Sequence, residues 1–115
     1  MEKLTFLLPE EISLLTKDEV IDKLAQFLIH CSFHDNKDIK DVVKTLVMYL
    51  KDTMTVFNAR KRAFVIHQEA REEKDLYQKM IKRACGHIVS TIHVKTHALR
   101  AIDYLNKALC LKEGN

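Results

Sequence analysis

The chain has 115 residues, of which 47% are hydrophobic and 30% charged, and its formal net charge is +3. These values are typical of a single globular domain with a modest core. The charge is too small to predict a nucleic-acid partner, and no apolar run is long enough to predict a membrane span. Two glycines and one proline favour long helices over many short strands.

The cysteines and the N-terminus indicate the cellular setting. Three cysteines, Cys31, Cys85 and Cys110, show no paired spacing, which predicts free thiols in a reducing cytoplasm rather than a disulfide framework. The first residues contain one basic side chain, a short apolar patch and no small-residue cleavage site. We therefore expect no signal peptide.

Start signals and apolar spacing predict the first helices. Pro9, followed by two acids, suits a short helix start. Thr16 opens a capping box, and apolar residues at helical spacing then predict a helix at about 17–32. Asn36 can cap the next helix, whose apolar stripe runs over 39–50.

A third long helix is predicted after Thr53 or Thr55, either of which can act as its cap. Its basic run ARKR, at 59–62, is interpreted as a solvated helix face. The border of its apolar face carries Phe57 and Phe64. The face itself consists of Val56, Ala59, Ala63, Ile66 and Ala70.

The boundary between the last two helices follows from length. A further helix begins near Lys74–Asp75, and if it continued unbroken to 111 it would extend about 55 Å. A compact domain of this size has a radius of gyration of about 13 Å. Weak helix formers cluster in STIHVKT, where Thr96 can act as an N-cap. We therefore predict a turn at about 92–95 and an all-α, compact single-domain bundle of about five helices over 1–115.

Six histidines raise the question of a metal site. His93 and His97 are four residues apart, as are His30 and His34, and this spacing suits zinc on an intact helix. The predicted turn separates the first pair, and the second pair lies at a helix end. We interpret His30 and His34 as part of a solvated terminus.

Three other positions can converge in the interior, because His67, His87 and His97 all border apolar or small-residue faces. The favoured interpretation is that each imidazole donates a ring N–H to a carbonyl, hydroxyl or carboxylate. Two alternatives stay open: a metal site formed by these three with His93, and a catalytic or small-ligand pocket.

No complete catalytic motif is present in the sequence. Cys85 is the best candidate thiol because His87 is near in sequence, but residues i and i+2 of a helix point to different sides. We therefore predict a structural, half-buried thiol at Cys85. We also expect no catalytic residue, no cofactor and no enzymatic activity.

Two stretches, ARKRAFVIHQEARE at 59–72 and KRACGHIVSTIHVKTHALRAIDYLNKAL at 82–109, resemble the Imm-5-like putative immunity proteins of bacterial polymorphic toxin systems. With DIKDVVKTLVMYLKD, the resemblance covers about 38–109, and its more specific part is 84–98. It implies a small cytoplasmic helical protein that binds and neutralises a cognate toxin. It also implies a recurrent polar core formed by His67, Gly86, His87, His93 and His97.

The chain departs from the family pattern where other members have many alanines. Bulkier residues at these positions predict a bulkier core with the same fold. They are Phe64, Val65, Ile66, Ile88 and Ile92.

A toxin-binding protein needs apolar and aromatic anchors at its interface. The candidates in this sequence are Met48, Tyr49, Met54, Phe57, Tyr77 and Met80. A self-associating helical protein, for example a homodimer that covers its own apolar surface, is a further alternative. We expect no nucleic acid or membrane as a partner.

Overall fold

The computed structural model describes residues 3–113, which fold into six helices joined by turns and contain no strand. The all-α prediction is confirmed, whereas the predicted number of about five helices is too small by one. The helices are α1 (Pro9–Leu14), α2 (Lys17–His30), α3 (Lys37–Leu50), α4 (Val56–Glu72), α5 (Leu76–Ser90) and α6 (His97–Glu113).

The additional helix is α1, which the sequence indicated only as a helix start at Pro9. It forms a separate element because Leu15 has extended backbone angles, φ −103° and ψ 152°, and the chain changes direction there. The capping box then begins α2: Thr16 Oγ1 accepts from the backbone N–H of Glu19 at 3.1 Å, and Glu19 Oε1 accepts from the backbone N–H of Thr16 at 2.8 Å.

Side-chain caps also fix the starts of α3, α4 and α5. Asn36, Thr55 and Asp75 each accept a hydrogen bond from the backbone N–H three residues later, at 3.0, 3.0 and 2.9 Å. Such caps satisfy backbone donors that the first helical turn leaves unpaired. Thr55 rather than Thr53 is therefore the cap of α4.

The predicted break between the last two helices is confirmed. α5 ends at Ser90 and α6 begins at His97, the residue after the predicted cap. The turn is attached to the other end of the chain because Lys95 Nζ donates to the carbonyl of Leu15 at 2.6 Å. The radius of gyration is 13.3 Å, close to that expected for a compact chain of this length.

One hydrophobic core draws residues from all six helices. α5 packs against α3, α4 and α6, and α2 packs on α3. The N-terminal segment is tied to α6, since the backbone N–H of Leu4 donates to Asn106 Oδ1 at 2.7 Å and Asn106 Nδ2 donates back to the Leu4 carbonyl at 2.9 Å. Over 3–113, none of the helices combines the length and the apolar character needed to cross a membrane.

Candidate functional site

The contact between α4 and α5 is lined by small residues. Ala59, Ala63 and Ala70 are the buried residues of α4, and Gly86 of α5 faces this helix. The absence of a side chain on α5 at this glycine leaves space for a ring from α4. The ring belongs to His67, and a Cβ added at Gly86 would lie 2.4–2.7 Å from three of its atoms.

Three imidazoles from three different helices meet beside this contact. We call His67 of α4, His87 of α5 and His97 of α6 the His cluster. The ring centroids of His67 and His87 are 5.0 Å apart in an edge-to-face arrangement, and those of His87 and His97 are 5.1 Å apart and stacked. The ring of Tyr104 also stacks on His87, at 5.4 Å.

A direct hydrogen bond joins two of these rings, because Nδ1 of His87 and Nδ1 of His97 are 2.9 Å apart. One of the two nitrogens carries the proton and the other accepts it, so the bond requires that at least one ring be neutral. The sequence predicted a carbonyl, hydroxyl or carboxylate as the partner. For this pair the partner is instead a second imidazole.

The surroundings keep the His cluster uncharged at neutral pH. Burial is the main cause that lowers the pKa of all three rings. The pKa of His87 is lowered to about 4, with further contributions from His67 and His97. Three neutral imidazoles therefore lie together, each partly exposed to solvent.

The geometry gives no support to the metal alternative built on His67, His87, His93 and His97. Among residues 3–113, no three His, Cys, Asp or Glu side chains are arranged to hold a metal ion. His93 lies exposed in the turn. The bond between His87 and His97 also occupies the two nitrogens that face each other.

The second histidine pair has the arrangement expected of a helix end. His30 is the last residue of α2, and His34 lies in the following turn; both are exposed. Nδ1 of His34 donates to the carbonyl of Cys31 at 2.8 Å, and its Nε2 lies 3.2 Å from Asp35 Oδ2. The two imidazoles do not share one helix.

Cys85 is fully rather than half buried, with 2% of its surface exposed. Burial is the main cause that raises the pKa of the Cys85 thiol. The thiolate, which is the nucleophilic form, is therefore strongly disfavoured.

The candidate interface residues differ in exposure. Phe57 is the most exposed of them, at 68%, and Met48 is partly buried. The other four lie partly buried against the core. They are Tyr49, Met54, Tyr77 and Met80.

The sequence predicted a bulkier core at several positions. This is wrong for Phe64 and Val65 of α4, but correct for Ile88 of α5 and for Ile92 in the turn after it. Phe64 and Val65 are 60% and 50% exposed, whereas Ile88 and Ile92 are completely buried. The physical reason is helical register: Ala59, Ala63 and Ala70 lie on the buried side of α4, where Ile66 also packs against the core, whereas Phe64 and Val65 lie outside this side. In the sequence, apolar residues occur on several sides of α4, so hydrophobicity alone did not show which of them point to solvent.

These exposed residues belong to one surface, which we call the α4 outer face: Phe57, Arg60, Lys61, Phe64 and Val65. It is basic, since it includes Arg60 and Lys61 and the segment 56–68 contains no acidic residue. Lys61 Nζ lies 5.2 Å from the centroid of the Phe57 ring. Arg62, by contrast, pairs with Asp41 and thereby joins α4 to α3.

Comparison with known families identifies the chain. The family model for the Imm-5 like putative immunity protein matches residues 20–115. The chain belongs to this family. The match begins in α2, so it extends beyond the resemblance over 38–109 and includes both the His cluster and the α4 outer face. No curated protein and no solved structure matches the chain.

Proposed function

We propose that this chain is a cytoplasmic immunity protein that binds and neutralises a cognate toxin domain without catalysing a reaction. The observation that carries the proposal is the family match over residues 20–115. Neutralisation by binding requires a complementary surface rather than a reactive group. The surface of the chain must therefore offer anchors for a partner protein.

The α4 outer face is the surface that we propose for this contact. Phe57 and Phe64 are seven residues apart, which places them about 10 Å apart along the helix axis and on nearly the same side. Arg60 and Lys61 lie between them in sequence. Phenylalanine and arginine are both enriched at protein interfaces, and arginine is among the residues that contribute most to binding energy there.

The charge of this face indicates the chemistry of its partner. Because 56–68 carries cations and no acid, a toxin surface that combines apolar and acidic groups complements it. The helix is also held in place before binding, by the ion pair from Arg62 to Asp41 and by the fit of His67 against Gly86. Such preorganisation reduces the entropy lost on association.

A homodimer through the same face is less favourable on electrostatic grounds. A two-fold dimer places the same patch of both copies in contact, so the Arg60 and Lys61 side chains of one copy would approach those of the other. Like charges in contact weaken such an interface. The charge therefore favours an acidic partner over a second copy.

The first experiment tests whether a toxin partner exists. The full chain is co-expressed with the toxin domain encoded beside it, and we expect the two to co-purify and the cells to resist the toxin. Light scattering of the chain alone should give the mass of a monomer. If the chain neither binds the neighbouring toxin domain nor protects the cells, the proposed function is wrong.

A second experiment locates the contact. The double variant Phe57→Ala/Phe64→Ala removes both aromatic anchors, and we expect the Kd for the toxin domain to rise at least about 30-fold, corresponding to about 2 kcal/mol. The matched control is Leu14→Ala/Leu76→Ala, which removes two exposed leucines elsewhere and should leave the Kd nearly unchanged. Equal effects of the two double variants would argue against the α4 outer face.

A further inference from the structure

The surroundings of the His cluster show a regular arrangement of charge, because each of three helices carries a histidine and an arginine about one turn apart. The two residues are separated by four positions on α4 and α5 and by three on α6, and these spacings place both side chains on one side of a helix. The pairs are His67–Arg71, Arg83–His87 and His97–Arg100.

The arginines also act on histidines of neighbouring helices, which shows that the pairs form one group. Burial is the main cause of the lowered pKa of His67, and Arg83 of α5 contributes more than Arg71 of its own helix. After burial and the neighbouring imidazoles, the lowered pKa of His87 reflects Arg100 of α6 and Arg83. Arg71, Arg83 and Arg100, one from each of α4, α5 and α6, therefore lie near the imidazoles.

Two further basic groups lie near the cluster. Besides burial, His93 of the turn is the leading contribution to the lowered pKa of His97, and Lys107 Nζ lies 4.7 Å from the centroid of the Tyr104 ring. None of the ion pairs found over residues 3–113 involves the three arginines. Their positive charge is thus left without an internal anionic partner in the described part of the chain.

We propose that the His cluster, together with Arg71, Arg83 and Arg100, binds an oxyanion of the phosphate type. Guanidinium groups are suited to oxyanions because their planar N–H groups donate two parallel hydrogen bonds. The imidazole nitrogens outside the His87–His97 bond can supply further donors. Two of the arginines are exposed and the other groups are partly exposed, so an anion can reach them from solvent.

The site predicts that anion binding is coupled to proton uptake. A bound dianion favours the charged form of a nearby imidazole, so binding raises the pKa of the histidines. By linkage, affinity then increases as the pH falls from about 7.5 to about 5.5. The charged groups outside the cluster that contribute to the lowered pKa values of these imidazoles are Arg71 from α4, Arg83 from α5, Arg100 from α6 and His93 from the turn, all of them basic.

The test uses the histidine ring resonances of the uniformly ¹⁵N-labelled full chain. Sulfate is the probe for the pH series because it remains a dianion throughout, and sodium chloride keeps the ionic strength constant. We expect saturable shifts of the three cluster rings and smaller shifts of His30 and His34. Parallel titrations with inorganic phosphate and with glycerol phosphate, a phosphate monoester, distinguish a free anion from one carried by an organic molecule. Tighter binding of glycerol phosphate than of inorganic phosphate indicates that the natural ligand is an organic phosphate.

Matched variants decide whether the cluster is responsible. Arg83→Gln/Arg100→Gln removes two of its charges and should raise the half-saturating sulfate concentration at least about tenfold. Arg60→Gln/Lys61→Gln removes the same charge outside the cluster and should have little effect. Arg71→Gln, at an exposed position, provides a further variant if the first fails to fold. Two results would overturn the proposal. One is that chloride alone produces the same resonance shifts as sulfate. The other is that the Arg60→Gln/Lys61→Gln variant weakens sulfate binding as much as Arg83→Gln/Arg100→Gln does.

Discussion

α4 and α5 lie side by side and have similar lengths, 17 and 15 residues, yet they bury different kinds of side chain. α5 buries branched aliphatic residues such as Ile81 and Ile88, whereas the buried residues of α4 are three alanines. The aromatic residues Phe57 and Phe64 of α4 point to solvent. We infer that α5 contributes strongly to the free energy of folding and that α4 is held by close fit, with its large side chains left free for a partner.

The largest expected effect on the free energy of unfolding comes from comparing one large residue of α5 with one of α4. Ile88→Ala removes a completely buried side chain and should lower the free energy of unfolding by about 2–5 kcal/mol, from lost burial and the cavity it leaves. Phe64→Ala removes a larger but exposed side chain and should change it by about 0.5 kcal/mol or less. Urea unfolding followed by circular dichroism measures both values. Similar losses of unfolding free energy in the two variants would mean that the Phe64 side chain of α4 is buried in solution.

The next effect tests the fit between the helices. Gly86→Ala introduces a Cβ that would overlap the His67 ring, and we expect a loss of about 1–3 kcal/mol from overpacking. In a His67→Ala background the overlap disappears. The same change should then be neutral or stabilising by up to about 1 kcal/mol, because alanine favours a helix more than glycine does.

The diagnostic result is therefore a change of sign between the two backgrounds. The double-mutant cycle gives the coupling energy between the two positions, measured by urea unfolding of all four chains. A Gly86→Ala effect of equal size with and without the imidazole would show that the glycine serves something other than the space for His67.

The smallest effect is the pH dependence that the His cluster gives to folding. His87 has a pKa of about 4 in the folded chain, below the ordinary value of about 6.5. Between these values the unfolded chain binds more protons, so stability present above pH 6.5 is lost as the pH falls towards 4. The full shift corresponds to about 3 kcal/mol, and the partial exposure of the ring reduces our expectation to about 1–2 kcal/mol.

A comparison with His87→Gln isolates this contribution, because all other ionisable groups are the same in the two proteins and their effects on the pH dependence cancel. The difference in unfolding free energy between about pH 7.5 and about pH 4.5 should be smaller in the variant than in the wild type. The pKa values of His67 and His97 are lowered as well, so a residual dependence of the same sign should remain. An unchanged difference would show that His87 is readily protonated in the folded chain.

Much of the fold could be predicted because the decisive signals are local. Thr16, Asn36 and Thr55 are strong caps followed by apolar stripes, and these fixed three helix starts. The break after Ser90 followed from length and weak helix formers. α1 was only indicated at Pro9, because its end depends on the extended backbone of Leu15, which carries no distinctive sequence signal.

The candidate site could be predicted only in part, because it depends on contacts between distant residues. The sequence indicated that His67, His87 and His97 could meet, but the ring-to-ring hydrogen bond depends on how α5 and α6 are oriented. The outward position of Phe64 was missed because apolar residues occur on several sides of α4. Which side of α4 lies inside depends on how α4 packs on α5, and this contact between distant residues carries no local signal.

We propose that α4 presents the partner-binding surface while α5 supports it from inside. Amide hydrogen exchange of the chain, free and in complex with the toxin domain encoded beside it, tests this most directly. We expect binding to slow exchange most strongly in peptides covering 56–68. Protection on another surface, such as α1 and α2, with exchange in α4 unchanged, would contradict it.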